Sequence, residues 1–315
     1  MATPSASPVG QTINASVYAA NAKADDLRGQ LLKAEVLLDR AHFSPGVIDG
    51  RDGGNLKQAI VAYEAAKGLP GDGSLDQPLW NALITADQGP VVTDYMITAE
   101  DVKGPFIGKV PTDMKAMAKL DHLGFTSPLQ LLAEKFHMDQ KLLTALNPGA
   151  NLAVAGTTIV VTAPGGDDLG VEAASIQVDK SSQQVRAYDV GGKLLAVYPA
   201  TVGSQERPAP TGTWAVRVVA PRPDYTFDPA RLSFGKSKKV LTIPPGPNNP
   251  VGSTWIALTK DTYGIHGTPD PTPVGKVASH GCVRLTNWDA HQLGKAVKKG
   301  AQVVFVGEET RKKTA

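Results

Sequence analysis

The chain has 315 residues, 32 Lys and Arg against 30 Asp and Glu, and a formal net charge of +2. That length has room for two or three domains, and a charge so near balance, with the basic residues dispersed outside Lys298-Lys299 and the 311–313 tail, argues against a nucleic-acid partner. The longest apolar runs are a few residues, far below the roughly 20 that a spanning helix needs, and a single Cys rules out an intramolecular disulfide.

Residues 1–23 are mostly small and polar, without the apolar stretch of a signal peptide, and read as a disordered N-terminal linker. From 24 to 88 the period is helical. Leu27, Leu31, Ala34 and Leu38 share one face, and Leu56, Ala59, Ile60 and Tyr63 share another. Asp49, Asp52, Asp72 and Asp76 lack the spacing of a calcium loop and fit turn positions. The run from Ile48-Asp49-Gly50 through Tyr63 and Asp72-Gly73 to Trp80 resembles a peptidoglycan-binding domain, a small three-helix module. Residues 92–164 end in two helical stretches, the second begun near Asp139, then an Asn147-Pro148-Gly149 turn and a closing strand. This pattern resembles a LysM-like βααβ module.

Downstream the chain reads as strands at 176–179, 184–190, 194–203, 213–219 and 254–258, with Gly191-Gly192 and Pro210-Thr211-Gly212 as turns. Residues 221–250 read as a long loop serving as lid or substrate-binding insertion. Its Tyr225 and Phe227 suit either a sugar or peptide surface or burial beneath the loop. A late helix capped by Thr286 or Asn287 should bury Leu293, Ala296 and Val297, close at Gly300 and precede a last strand at 302–306. The expected fold class is multidomain α+β, with a β-rich, sandwich-like or barrel-like domain at 173–307 and a basic tail at 308–315.

The only cysteine, Cys282, sits in Ser279-His280-Gly281-Cys282-Val283-Arg284-Leu285, with His266-Gly267 upstream. Free Cys is often just a buried small hydrophobe. Clustering with two of six His, a Ser and an Arg on glycine-broken loops favours a nucleophile, since imidazole can take a thiol proton and later return it to a leaving amine. Zinc is the next alternative. His266, His280 and Cys282 are three ligands, but no second Cys or acidic cluster completes a tetrahedral set, so no metal or other cofactor is expected. Either histidine could serve Cys282 after folding. Gly281 lets substrate approach without a Cβ in the way, which makes the Gly281 and Cys282 amides candidate oxyanion donors. Arg284, two positions on, would face the same side in extended chain and suits a carboxylate, or pairs with a local acid.

The HGT run, the Pro/Gly-rich stretch after it, SHGCVRL, and the preceding 241–258 segment with YGIHGTPDP closely resemble the L,D-transpeptidases of the YkuD and ErfK/YbiS type. The resemblance implies Cys282 as nucleophile and His266 as proton acceptor and donor, with the Gly267 carbonyl orienting its ring. His280 would be an auxiliary or oxyanion-stabilising group, or merely hold the turn. Ser279, Arg284 and Tyr263 would bind substrate. The implied reaction is attack on a peptidoglycan tetrapeptide stem, release of D-Ala, and transfer of the thioester to an amine in a 3→3 crosslink. Carboxypeptidase action, protein attachment, or a non-catalytic wall-binding role are the alternatives. Expected partners are stem peptides and glycan, the expected location is the periplasm after removal of an export signal, and carbapenems should acylate the same sulfur.

Overall fold

The computed structural model describes residues 5–203, 208–229, 239–277 and 281–308. It begins with α1 (Pro8–Asn14), followed by α2 (Ala24–Arg40), α3 (Gly54–Lys67) and α4 (Gln77–Ala86). The helix α1 corrects the expectation of disorder across 1–23. Ser7 caps it, Asn14 Oδ1 accepts from the amides of Val91 and Val92, and Ile13 enters the core. Polar side chains that satisfy backbone groups order this segment despite its composition. Leu27, expected on the buried face, is 42% exposed at the start of α2. Of the turn aspartates, Asp76 caps α4 by accepting from the Leu79 amide, and Asp72 accepts from that of Ser74.

Next come β1 (Val92–Met96), α5 (Ala99–Lys103), α6 (Met114–Met117), α7 (Pro128–Lys135), α8 (Gln140–Leu146) and β2 (Thr158–Thr162). Strands β1 and β2 pair antiparallel, with Val92 opposite Thr162 and Met96 opposite Thr158. Four helices, rather than the two of a βααβ pattern, separate the strands. The extra α5 is started by a capping box between Thr98 and Asp101, a local signal in the stretch where the sequence pattern is least regular. This segment and α2–α4 share one core, in which Leu38, Ile48, Ile60, Tyr63, Leu132 and Val161 pack together.

The remaining elements are β3 (Ala173–Asp179), β4 (Gln184–Tyr188), β5 (Leu194–Pro199), β6 (Gly212–Pro221), β7 (Tyr225–Phe227), β8 (Leu241–Ile243), β9 (Thr254–Leu258), β10 (Gly264–His266), β11 (Val283–Arg284), α9 (Asn287–Ala296) and β12 (Val297–Val306). Strands β7 and β8 form a separate antiparallel pair, so the expected 221–250 loop contains a hairpin; its residues 230–238 lie outside the described residues. The other eight strands form one sheet in the order β11-β10-β9-β6-β12-β3-β4-β5. Its ends meet through a reciprocal bridge in which Thr201 and Arg284 exchange amide–carbonyl bonds at 2.9 Å.

The β-rich domain, expected as a sandwich or a barrel-like fold, is thus one curled sheet. The ten-residue β6 makes this possible: its first half pairs with β12, its second half with β9, and a register shift between Val216 and Val218 bends it. The interior holds Ile176, Val178, Tyr198, Ile256, Ile265, Val283 and Leu293.

Thr286 caps α9 by accepting from the Asp289 amide at 3.1 Å. The helix stops at Ala296 rather than at Gly300. Val297 already pairs with Ala173 while Gln302 pairs with Ser175, so the residues between bulge outward, and Gly300 takes φ +95° there. The helical unit docks directly on the curled sheet. Phe43 bridges Val197 of β5, and Val197 joins the N-terminal core.

Candidate active site

Gly281 has φ +114°, a conformation that L side chains rarely adopt, and a Cβ there would lie 3.3 Å from the Tyr263 ring. This turn delivers Cys282 to the start of β11. The sulfur lies 3.9 Å from the Thr262 carbonyl and receives the Gly264 N–H. Strands β10 and β11 run parallel with His266 opposite Arg284, so Cys282, two positions before Arg284, is one diagonal step from His266. Such neighbours in a sheet are separated by roughly 7 Å between backbones, within reach of an imidazole and a thiol.

His266 is 3% exposed, and its Nδ1 lies 2.6 Å from the Gly267 carbonyl oxygen. A carbonyl only accepts, so Nδ1 carries the hydrogen and Nε2 keeps its lone pair. Trp255, paired with His266 across β9, stacks on the imidazole at a centroid distance of 5.4 Å and 25° between planes. Burial, followed by the charge of Arg284, lowers the His266 pKa to about 3 against the opposing pull of the Gly267 carbonyl. Burial likewise pushes the Cys282 thiol up, while the Gly264 amide and Arg284 pull it down. At neutral pH the resting pair is thiol and neutral imidazole. The arrangement can move a proton from Sγ to Nε2 as attack occurs, rather than store a thiolate beforehand.

Arg284 is part-buried, and its own pKa is lowered by desolvation against the opposing influence of Cys282 and Tyr225. The Tyr225 hydroxyl is pushed up to about 12, first by burial and then by Cys282. The two aromatics of the 221–250 stretch thus divide: Phe227 is fully buried, whereas Tyr225 is half-buried near Cys282 and Arg284. Tyr263 touches the Gly281 turn, and Gly267 adjoins the imidazole. Ser279 and His280 lie outside the described residues.

Sequence reasoning placed Asn287 at a helix cap and missed its second position. Its Oδ1 accepts from the Ser253 amide at 3.1 Å and fills a gap between two glycines. A Cβ on Gly252 or on Gly267 would come within 2.2 Å of that oxygen. Both glycines are therefore required by close approach. Trp255 was read only as a strand residue; no pattern in the sequence supplies the β9–β10 register that sets it on His266. The loop leading towards Cys282 is also tied down from outside: Asn55 at the start of α3 donates to the Val274 carbonyl at 2.9 Å, and the Gly275 amide donates to Thr201 Oγ1 at 3.1 Å.

Residues 173–305 match the family model described as the L,D-transpeptidase catalytic domain, YkuD, and residues 29–83 match one described as "Putative peptidoglycan binding domain". The chain is 28% identical over 177 residues to "Putative L,D-transpeptidase YkuD" of Bacillus licheniformis, covering 56% of this chain and 91% of that one. It is 25% identical over 234 residues to "Probable L,D-transpeptidase YbiS" of Escherichia coli, covering 71% and 74%. A crystal structure of L,D-transpeptidase 3 from Mycobacterium tuberculosis with a faropenem-derived adduct aligns at 17% identity and TM-score 0.36, covering 49% of this chain and 65% of that one.

Proposed function

We propose that this enzyme, an L,D-transpeptidase by its catalytic domain over residues 173–305, acts on peptidoglycan tetrapeptide stems and forms 3→3 crosslinks through a thioester on Cys282. The observation that carries this reading is the His266 ring, bonded through Nδ1 to Gly267 and lying one diagonal step from the only cysteine. Cys282 Sγ attacks the carbonyl between the diamino acid and D-Ala as its proton passes to His266 Nε2. The C–N bond then breaks, the proton leaves with the D-Ala amine, and the stem remains as a thioester. An acceptor amine attacks next and gives its proton to Nε2, the C–S bond breaks, and Nε2 returns the proton to the leaving sulfur. Water or a protein amine at the same thioester would give carboxypeptidase or attachment activity by identical chemistry.

Arg284, on the strand that follows Cys282, is assigned to a substrate carboxylate, whose charge would offset the Arg284 part of the lowered His266 pKa, the part due to burial remaining. Tyr263 and Ser279 are assigned to substrate contact, and the Gly281 and Cys282 amides, with His280, to the oxyanion. The 29–83 domain would hold the wall polymer; the 92–162 segment, the LysM-like module of the sequence pattern, is assigned a supporting role. An enzyme with these assignments would work in the periplasm. Among the described residues no helix is long and apolar enough to cross a membrane.

Incubation with purified tetrapeptide stems tests the reading by intact-protein mass spectrometry. The expected product is a tripeptide adduct on Cys282 that is absent in Cys282→Ala and is discharged by an added amine acceptor. An equal adduct in Cys282→Ala, or none in the wild type, would count against it.

A further inference from the structure

Glu134 belongs to α7, outside the catalytic domain, yet its carboxylate reaches the first turn of α9. Its Oε2 accepts from Asn287 Nδ2 at 3.0 Å, and the same nitrogen also donates to the Pro247 carbonyl at 3.1 Å. With both acceptors in place, the amide has one orientation. Turned over, its oxygen would face a carbonyl and, with Glu134 ionised, a carboxylate, neither with a hydrogen to give. Oδ1 is thereby directed to the Ser253 amide and against Gly267, where an added Cβ would lie 2.2 Å away. The Gly267 carbonyl in turn receives His266 Nδ1 at 2.6 Å. A continuous series of contacts thus joins Glu134 to the imidazole.

The surroundings hold this carboxylate on station. His137, just beyond α7, stacks on Trp288 of α9 at 5.0 Å with 10° between planes, and its Nδ1 lies 3.3 Å from both carboxylate oxygens of Asp39. Ser44 donates to Asp289 at 3.1 Å. The first turn of α9, which directly follows the nucleophile strand, is gripped by side chains from both N-terminal segments. Burial raises the Glu134 pKa to about 7 while Asn287 and His137 pull it down, so the group is ionisable where it stands.

We propose that Glu134 is a positioning residue for acyl transfer, supplied across the domain boundary, which orients the Asn287 amide and through it holds His266 in the Nδ1–H tautomer. This rests on the reading of His266 as the base, but its test does not depend on turnover. It also makes the 92–162 segment a working part of the catalytic assembly.

The experiment is 15N NMR of the histidine side chains in the full chain, with Cys282 acylation by tetrapeptide stem followed in parallel. Wild type is expected to show His266 as a single Nδ1–H tautomer. In Glu134→Met, which keeps the side-chain length but cannot accept, a second tautomer should appear and the acylation rate constant should fall about tenfold, with KM little changed. Glu134→Gln, whose Oε1 can accept from Asn287 but whose amide can also donate to a turned-over Oδ1, should lie between wild type and the apolar variant in both. If Glu134→Met does not fold, Glu134→Ala is read in its place. A pure Nδ1–H tautomer in the apolar variant, or equal losses in the Gln and apolar variants, overturns the proposal. A tautomer response without acylation in any form would support it and count instead against the acyl-transfer reading.

Discussion

Replacing Gly267 with Ala tests whether the imidazole depends on the fit beneath it. The new Cβ would lie 2.2 Å from Asn287 Oδ1 and 3.3 Å from the Asn287 Cα, closer to the oxygen than real Cβ contacts come. Something must retreat by about 1 Å. If Oδ1 withdraws, the 3.1 Å bond from the Ser253 amide breaks. A buried donor left without a partner costs about 1–3 kcal/mol, so the melting temperature should drop by a few degrees. If Gly267 withdraws, its carbonyl carries the imidazole away from the thiol, and a misplacement of about 1 Å at a reacting group costs on the order of a hundredfold in rate. Gly267→Ala is therefore expected to acylate Cys282 about a hundredfold more slowly, measured by intact mass against time, with a modest loss in thermal melting. Gly71→Ala, with nothing within 4 Å of its added Cβ, is the control expected to match wild type. Acylation of Gly267→Ala within threefold of wild type would refute the reasoning.

His266→Ala should abolish acylation, whereas Arg284→Ala should chiefly raise KM for carboxylate-bearing stems; parallel kinetic defects in both would contradict that division of roles. Asp289→Asn tests the buried carboxylates between α9 and the N-terminal unit. Burial and then Asp39 raise the Asp289 pKa to about 7, above its unfolded value of about 3.9. The folded chain thus binds that proton more tightly, and the associated stability, fully present below the unfolded value, is lost as pH rises through 7. Asp289→Asn should accordingly melt higher than wild type at pH 8, by at most about 4 kcal/mol in stability, and lose this advantage near pH 4; an equal difference at both pH values argues against it. Thr286→Ala removes the α9 cap and should cost about 1 kcal/mol in chemical denaturation, with no loss meaning the cap is redundant.

The strands from β3 to β6 and β9 were legible because apolar residues alternate between turn-forming glycines and prolines. The very short β10 and β11 were not, since two or three residues carry no period. α1 was hidden by composition, its order coming from a local Ser7 cap and from Asn14 bonds to backbone distant in sequence. Asn287 illustrates the limit at the site: a cap residue by local pattern, it is also the prop beneath Gly267, a relation to Gly252, Ser253 and Glu134 that no local spacing encodes.

From the sequence alone came the lone thiol, the HGT and SHGC runs with their family resemblance, and the capped helix behind them, because cysteine, glycine turn and cap are each written in a few adjacent residues. Only the tertiary structure decided that the sheet closes through Thr201 and Arg284, that Trp255 lies on His266, and that α9 is held by Glu134, His137 and Ser44. Strand register, burial and contacts across domains arise from packing between segments up to 250 residues apart, and a linear pattern does not contain them.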